Sequence, residues 1–330
     1  MKKAEAMKRF YESLRLLRRS RSTVKTYTAW VGQYIDFISS PHAGSTREER
    51  IGKFLSRLVI KGNVSATTQK QALCAIIAFY KLVLREDVGE LTFTRSSRPK
   101  FLPAVFSREE AWAVLDRLDG VGWLWGALMY GCGLRLEECC GLRVQDVDID
   151  RMQVNVRRGK GSKDRVVPLP AMLVDPLQKH LRRIRVEHEG YARRRVPVSL
   201  PDALDRKYPQ APYSWEWFWL FPASGPALDP RWGNRLYHIH HSAVQKRIGR
   251  AIRAAAIPKK AGCHTLRHSF ATHWLEGAEG SHEAALLRLQ RLMGHTDPKT
   301  TMIYLHLLKP RTDVPSPLDA RPPVEVKRAA

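Results

Sequence analysis

Residues 152–170 read MQVNVRRGKGSKDRVVPLP. Apolar and polar positions alternate in MQVNVRR and again in DRVVPLP, the two-residue period of strands with one buried face. Between them, Gly159 and Gly161 flank Lys160, and glycine reaches φ > 0 and close backbone approach without a Cβ penalty. The stretch is therefore a β-hairpin with a basic tip. Beyond it the chain is mainly helical, apart from a Pro- and Trp-rich stretch at 197–232. A small hairpin in a mostly α chain defines an α+β class.

Upstream, Ser107 is placed to cap a helix, with Glu109 and Glu110 complementing its dipole. The segments AWAVLDRL, WLWGALMYGCG and RLEECCGL follow as further helical pieces. Residues 93–105, FTRSSRPKFLPAV, combine two prolines, paired serines and basic side chains without apolar periodicity, and read as a basic linker. Before them, residues 1–92 read as a bundle of four helices. Phe10, Leu14 and Leu17 mark one helical face, Ser22 or Thr23 caps the next helix, and Leu73, Ile76, Ile77 and Tyr80 mark the apolar face of the last. Lys8, Arg9, Arg15, Arg18, Arg19, Arg21 and Lys25 give this domain a basic side. The second domain then runs over 106–330, with the aromatic segment at 197–232 as an insertion and a proline-rich tail at 310–330.

Charge narrows the partner. The 330 residues contain 56 Lys and Arg against 32 Asp and Glu, a net charge of +24. Such an excess suits a polyanion, because each neutralised phosphate releases condensed counterions. No run approaches the roughly 18–20 apolar residues of a membrane span, and MKKAEAMKRF lacks the apolar core of a signal peptide. A cytoplasmic protein on nucleic acid, with no membrane partner, is the expectation. Five cysteines, odd in number and without CxxC spacing, indicate neither a disulfide framework nor a metal site; Cys132, Cys139 and Cys140 read as small apolar filler.

Two phrases carry chemistry. In HTLRHSFATH (264–273), His264 and Arg267 lie three apart and share a helix face, joining a proton-sharing ring to a guanidinium fork. His268, four after His264, either joins them or packs internally, while Leu266, Phe270 and Ala271 anchor the helix. In LMGHTDPKTTMIYLH (292–306), Gly294 permits a sharp turn before His295, and Asp297-Pro298 opens a helix that carries Tyr304. A phenol of pKa about 10 is only about 0.1% ionised near neutrality, so cations beside it would favour the nucleophilic form. Taken alone, Tyr304 reads more readily as a side chain packed in a helix interface than as a nucleophile.

Arg135 in GLRLEE, Lys160 at the hairpin tip, His264 and Arg267, His295 after Gly294, and Tyr304 nine residues later together resemble the tyrosine recombinase (phage integrase) family. The likeness spans both domains and implies an N-terminal SAM-like core-binding domain plus a mixed catalytic domain. It implies that Tyr304 is a nucleophile forming a 3′-phosphotyrosyl link, that Arg135 and Arg267 clamp the phosphate, and that Lys160 is the acid for the 5′-hydroxyl. His264 and His295 assist, and Glu138 is a supporting acid. Lys163 and Arg165 flank Lys160 as expected DNA contacts. The covalent link conserves the phosphodiester energy, so neither metal nor ATP nor any other cofactor is implied. The stretch Glu279–Arg288 is about five residues longer than is usual in the family.

ALDRKYP, the aromatic run WEWFWLFP at 215–222 and SPLDA near residue 316 resemble the integron integrases within that family. This implies recombination of gene cassettes, acting on folded single-stranded cassette hairpins and on a duplex integron site, with the chain assembling into a tetramer on paired sites. Trp217, Trp219, Pro230, Tyr237 and His238 are then candidates for holding an unpaired base, which aromatic faces stack well. Where the subfamily commonly has Arg-Arg-His-His, this chain has Arg235-Leu236-Tyr237-His238. Two other readings stay open: a recombinase of duplex sites alone, and a DNA-binding relative without catalysis.

Overall fold

The computed structural model describes residues 2–40, 43–98, 102–157, 164–201, 204–229 and 233–305, in two compact units, Met1–Phe101 and Leu102–Ala330. Lys160, Lys163, Pro230 and the tail at 310–330 lie outside the described residues.

The first unit consists of α1 (Lys3–Leu16), α2 (Arg21–Ile38), α3 (Arg47–Ile60) and α4 (Ala66–Phe79), the last extended by a π-turn over Tyr80–Leu84. Ser20, Thr46 and Ser65 each accept a hydrogen bond from the backbone N–H three residues on, satisfying a donor that the first helical turn cannot. The cap of α2 is thus Ser20, earlier than the expected Ser22 or Thr23. Phe10, Leu14, Val31, Tyr34, Ile51, Leu55 and Ile76 form the core. Ile77 lies outside it, exposed a third of a turn from Ile76, and so does Leu17, beyond the end of α1. The buried Tyr34 and Tyr80 hydroxyls satisfy each other at 2.8 Å. The expected linker at 93–105 begins as part of this unit: Gln69 Nε2 donates to Thr94 O at 2.7 Å, and Ser96 N–H donates to Gln69 Oε1 at 3.0 Å.

The second unit opens with α5 (Arg108–Leu115), whose capping box joins Ser107 and Glu110. It continues with α6 (Gly120–Gly131), α7 (Leu136–Cys140), β1 (Val147–Asp148), β2 (Gln153–Val156), β3 (Arg165–Pro168), α8 (Val174–Arg193) and α9 (Leu204–Lys207). Then come β4 (Ala227–Asp229), β5 (Gly233–Arg235), α10 (His241–Ala254), α11 (Cys263–Glu276), α12 (His282–Met293) and α13 (Lys299–Met302). Strands β1, β2 and β3 form one antiparallel sheet, with Val154 opposite Val167 and Val156 opposite Arg165. Its buried valines join Leu124, Leu128 and Met129 of the apolar α6, which is central to the core. Among the described residues no helix is long and apolar enough to cross a membrane.

The aromatic insertion differs from its expected role. Phe218, Trp219, Leu220 and Phe221 are buried. Val144 N–H donates to Phe218 O at 3.0 Å and Leu220 N–H to Leu142 O at 2.9 Å, so the run lies along the segment that follows α7. Trp219 donates its indole N–H to Leu236 O at 3.0 Å, and the Arg143 guanidinium lies 3.7 Å from its ring centroid. Trp219 is therefore a core side chain, occupied on its face and at its nitrogen, and not an open platform for a base. Large ring area and a satisfied N–H favour that placement.

Candidate active site

The C-terminus of α12 organises the site. Gly294, at φ 60°, closes the helix in the left-handed region that favours glycine. The last carbonyls of a helix have no partner within it and carry partial negative charge. Here, three successive ones are taken by three arginines from elsewhere in the unit. Arg165 Nε of β3 donates to Leu292 O at 2.7 Å, Arg267 Nη2 of α11 to Met293 O at 2.5 Å, and Arg135 Nη2, at the start of α7, to Gly294 O at 3.2 Å.

One carboxylate balances this cluster. Glu138 accepts from the Arg135 N–H and Nη1, both at 2.8 Å, and from Arg165 Nη1 at 2.9 Å and Nη2 at 2.6 Å, with Arg267 Nη1 3.7 Å away. Burial raises the Glu138 pKa, but the Arg165 hydrogen bond and charge, then the Arg135 contacts, outweigh it and bring the carboxyl down to about 2. Arg165 corrects the expectation that it contacts DNA. Its side chain is 7% exposed and both its terminal nitrogens point at Glu138, because the i, i+2 alternation of β3 turns it inward opposite Val156.

Arg267 is also buried and donates to Gly133 O. Gly133 has φ 62°, and a Cβ there would meet the Phe270 ring at 2.4 Å. Burial, followed by the Arg135 charge, lowers the Arg267 pKa, yet the guanidinium remains cationic at neutral pH. Arg135, at 22% side-chain exposure, is the most accessible of the three arginines.

Tyr304 lies just beyond α13, which ends at Met302, so it sits in the turn after the helix expected to carry it. It is 1% exposed, in a cluster with Phe270, Leu289 and Met293. Its hydroxyl shares a 2.9 Å hydrogen bond with His268 Nδ1. Burial raises the phenol pKa, and the charges of Arg267 and Arg135 oppose the rise without cancelling it. His295 stacks on Tyr304, with ring planes 11° apart. Arg267 is only a donor, so His295 Nε2, 3.4 Å from Arg267 Nη2, is an acceptor; His295 Nδ1–H then donates to Thr301 Oγ1 at 2.9 Å. Burial, then Arg267, Arg135 and Arg165, lowers His295 to about 3. Burial, then His264 and Arg267, lowers His268 to about 4. His264, at the exposed rim, is also lowered, by burial of its ring and then by Arg267 and Arg135.

The structure thus gathers Arg135, His264, Arg267, His295 and Tyr304 around the end of α12. Trp219 and His238 lie together in a second neighbourhood, with rings 5.0 Å apart, and Tyr237 Oη donates to Asp229 at 2.5 Å. Trp217 is half-buried, its carbonyl accepting from Arg143. Sequence reasoning did not find Thr301 and left His268 between two roles. Its i+4 relation to His264 was the available signal for placing it in the site.

This geometry, a buried tyrosine hydroxyl beside clustered guanidiniums and imidazoles in a basic chain, suits phosphoryl transfer on nucleic acid. Residues 124–311 match the phage integrase family, and residues 7–90 match the phage integrase N-terminal SAM-like domain. The chain belongs to that family and is a site-specific tyrosine recombinase, an enzyme that cleaves and rejoins DNA. It is 39% identical over 332 residues to an integrase/recombinase of Escherichia coli, covering 99% of this chain and 97% of that one. It is 32% identical over 311 residues to the tyrosine recombinase XerA of Thermococcus kodakarensis, covering 91% and 90%. The fold is shared with the XerH site-specific recombinase bound to difH substrate in a pre-cleavage complex, at a TM-score of 0.58, 20% identity, and coverage of 85% and 74%. It is shared also with the Tn1549 transposon integrase in complex with transposon right end DNA, at a TM-score of 0.58, 16% identity, and coverage of 91% and 94%.

Proposed function

We propose that the chain recombines DNA through a 3′-phosphotyrosyl intermediate on Tyr304, and that its substrates are those of an integron integrase. The observation that carries the chemistry is the meeting of Tyr304 with Arg135, Arg267, His264 and His295 at one helix end. Arg135 and Arg267 hold the non-bridging phosphate oxygens and stabilise the charge that develops as the Tyr304 oxygen bonds to phosphorus. His264 donates to the same oxygens from the rim, and His295, oriented by Thr301, fixes the Tyr304 ring. Lys160 gives its proton to the departing 5′ oxygen. No metal or nucleotide is consumed, because the phosphotyrosyl bond keeps the energy for rejoining.

The substrate class rests on the insertion and its phrases, ALDRKYP and WEWFWLFP, with SPLDA further on. The insertion builds its own α9 and the β4–β5 hairpin. Within it, Trp219 supports His238 from the core, and His238 with Tyr237 and Trp217 faces the unpaired base of a folded cassette strand. Four such chains close on two sites. Trapping on nicked suicide DNA tests both halves. A covalent adduct that disappears in Tyr304→Phe supports the chemistry, and its absence on every hairpin and duplex refutes it. Preference for a folded cassette hairpin over its duplex, reduced by His238→Ala, supports the substrate class; equal use of both, unaffected by His238→Ala, favours a recombinase of duplex sites.

A further inference from the structure

Resting on the tyrosine reading above, we propose that His268 is a catalytic residue, the proton acceptor for Tyr304 during strand cleavage and the donor that returns this proton during rejoining. A phenol has to lose its proton to become a phosphotyrosyl ester, and Tyr304 is almost wholly sealed from water that could take it.

The other groups around it are ill placed for the task. Arg267, Arg135 and Arg165 have no acceptor. The Glu138 oxygens are taken up by guanidinium and backbone donors. His295 lies parallel to the Tyr304 ring with 6.2 Å between centroids, and its nitrogens are directed to Thr301 and Arg267. His264 is on the exposed rim. His268 Nδ1 stands 2.9 Å from the hydroxyl, within proton-transfer reach.

The charge state agrees with this geometry. The titratable and charged groups around the pair are His264 and Arg267 on α11, His295 before α13, Arg135 at the start of α7 and Arg165 on β3. His268 is consequently neutral near pH 7, with Nδ1 free to accept from the phenol. Arrival of an anionic phosphate opposes the surrounding positive charge and raises its basicity when substrate is bound. In cleavage, the Tyr304 Oη–P bond forms and the phenolic proton passes to His268 Nδ1. The P–O5′ bond breaks, its electron pair leaves on the 5′ oxygen, and that oxygen takes a proton from Lys160. Rejoining reverses each transfer.

The test uses whichever DNA gives the Tyr304-dependent adduct, synthesised with sulfur in place of the bridging 5′ oxygen. A thiolate leaves without an acid, so the rate reports on deprotonation of Tyr304 and not on Lys160. Single-turnover adduct formation is followed from pH 6 to 9.5 for the full chain, His268→Asn and His268→Ala, with DNA binding measured alongside. Asparagine keeps a hydrogen bond to Tyr304 but cannot carry its proton. At pH 7, His268→Asn is expected to slow adduct formation on the order of 10²-fold, with DNA binding unchanged. Its rate then climbs about tenfold per pH unit as the phenol ionises unaided, so the gap to the unsubstituted chain closes in alkali. A His268→Asn rate within about threefold of the unsubstituted chain at pH 7, or a deficit equal at every pH, overturns the proposal, the second outcome leaving His268 a positioning residue. An unsubstituted chain that forms no adduct on any DNA overturns the tyrosine reading itself, and this assignment with it.

Discussion

Glu138→Ala removes a carboxylate that faces all three arginines at the end of α12, and its cost follows from the contacts. The carboxyl is brought from 4.5 to about 2 in the fold, and at about 1.36 kcal/mol per pKa unit this corresponds to roughly 3 kcal/mol. The side chain is 8% exposed, so little is lost to screening by solvent. A second route agrees, since deleting one partner of a buried ion pair costs about 3–5 kcal/mol by leaving the others uncompensated. For a unit of this size, 1 kcal/mol moves the melting temperature by about 2–4 °C, so a fall of roughly 10 °C is expected at pH 7. Thermal melts followed by circular dichroism measure it. The sign with pH is also set: the depressed pKa stabilises fully above pH 4.5, and this advantage is lost as pH falls toward 2. Glu138→Ala should therefore converge on the parent in strong acid. The double change Glu138→Ala/Arg165→Met should recover part of the loss, because it removes a stranded charge. A fall below about 2 °C, or no recovery in the double variant, would refute the view that Glu138 neutralises the cluster.

His268 and His295 are held neutral in the fold, at about 4 and about 3, whereas unfolded histidine titrates near 6.5. Their effect on stability is complete above pH 6.5 and turns against the fold as pH falls from there toward 4 and 3, by at most about 1.4 kcal/mol per pH unit for each ring. Urea titrations across this range should show that slope, reduced in His268→Asn. Trp219→Ala should cost about 3–5 kcal/mol in the absence of DNA, a core penalty; unchanged urea stability would return Trp219 to the surface. Thr301→Val removes the acceptor that orients His295, a hydrogen bond worth about 1 kcal/mol, and should slow adduct formation roughly fivefold. An unchanged single-turnover rate would dissociate that bond from the chemistry.

Much of this fold was legible because local rules and tertiary packing agree. The alternation on either side of GKGSK returned β2 and β3, and Ser107 with Glu110 returned the capping box that opens α5. The H-x-x-R spacing placed His264 and Arg267 near one site because a helix imposes that neighbourhood whatever surrounds it. Arg165 was misread for a physical reason: a basic residue beside a basic turn has the same local pattern whether it meets phosphate or a carboxylate 27 residues away in sequence. Trp219 posed a similar ambiguity, since a run of large rings serves a core and a stacking platform equally well. What decided it was Leu236 O and the Arg143 guanidinium, neither of which the aromatic run reveals. The partnership of Tyr304 with His268 likewise depends on where the chain turns after α13, four residues that the Asp297-Pro298 signal starts but does not end.

The carbonyls of Leu292, Met293 and Gly294 belong to the main chain, and this has a consequence for how the protein can vary. A point substitution in α12 changes a side chain and leaves these acceptors in place, so the arginines keep their seats through extensive drift of the helix. Changes in chain length are different: an insertion or deletion after the first turns of α12 would shift every carbonyl by about 100° around the axis. The stretch Glu279–Arg288 lies ahead of those last carbonyls, in the turn before Ser281 and the opening turns of the helix. Added there, extra residues lengthen the approach and spare the landing. Tolerance to mutation at this site should accordingly follow position along the helix, permissive for substitutions on its exposed face and closed to indels in its final turn.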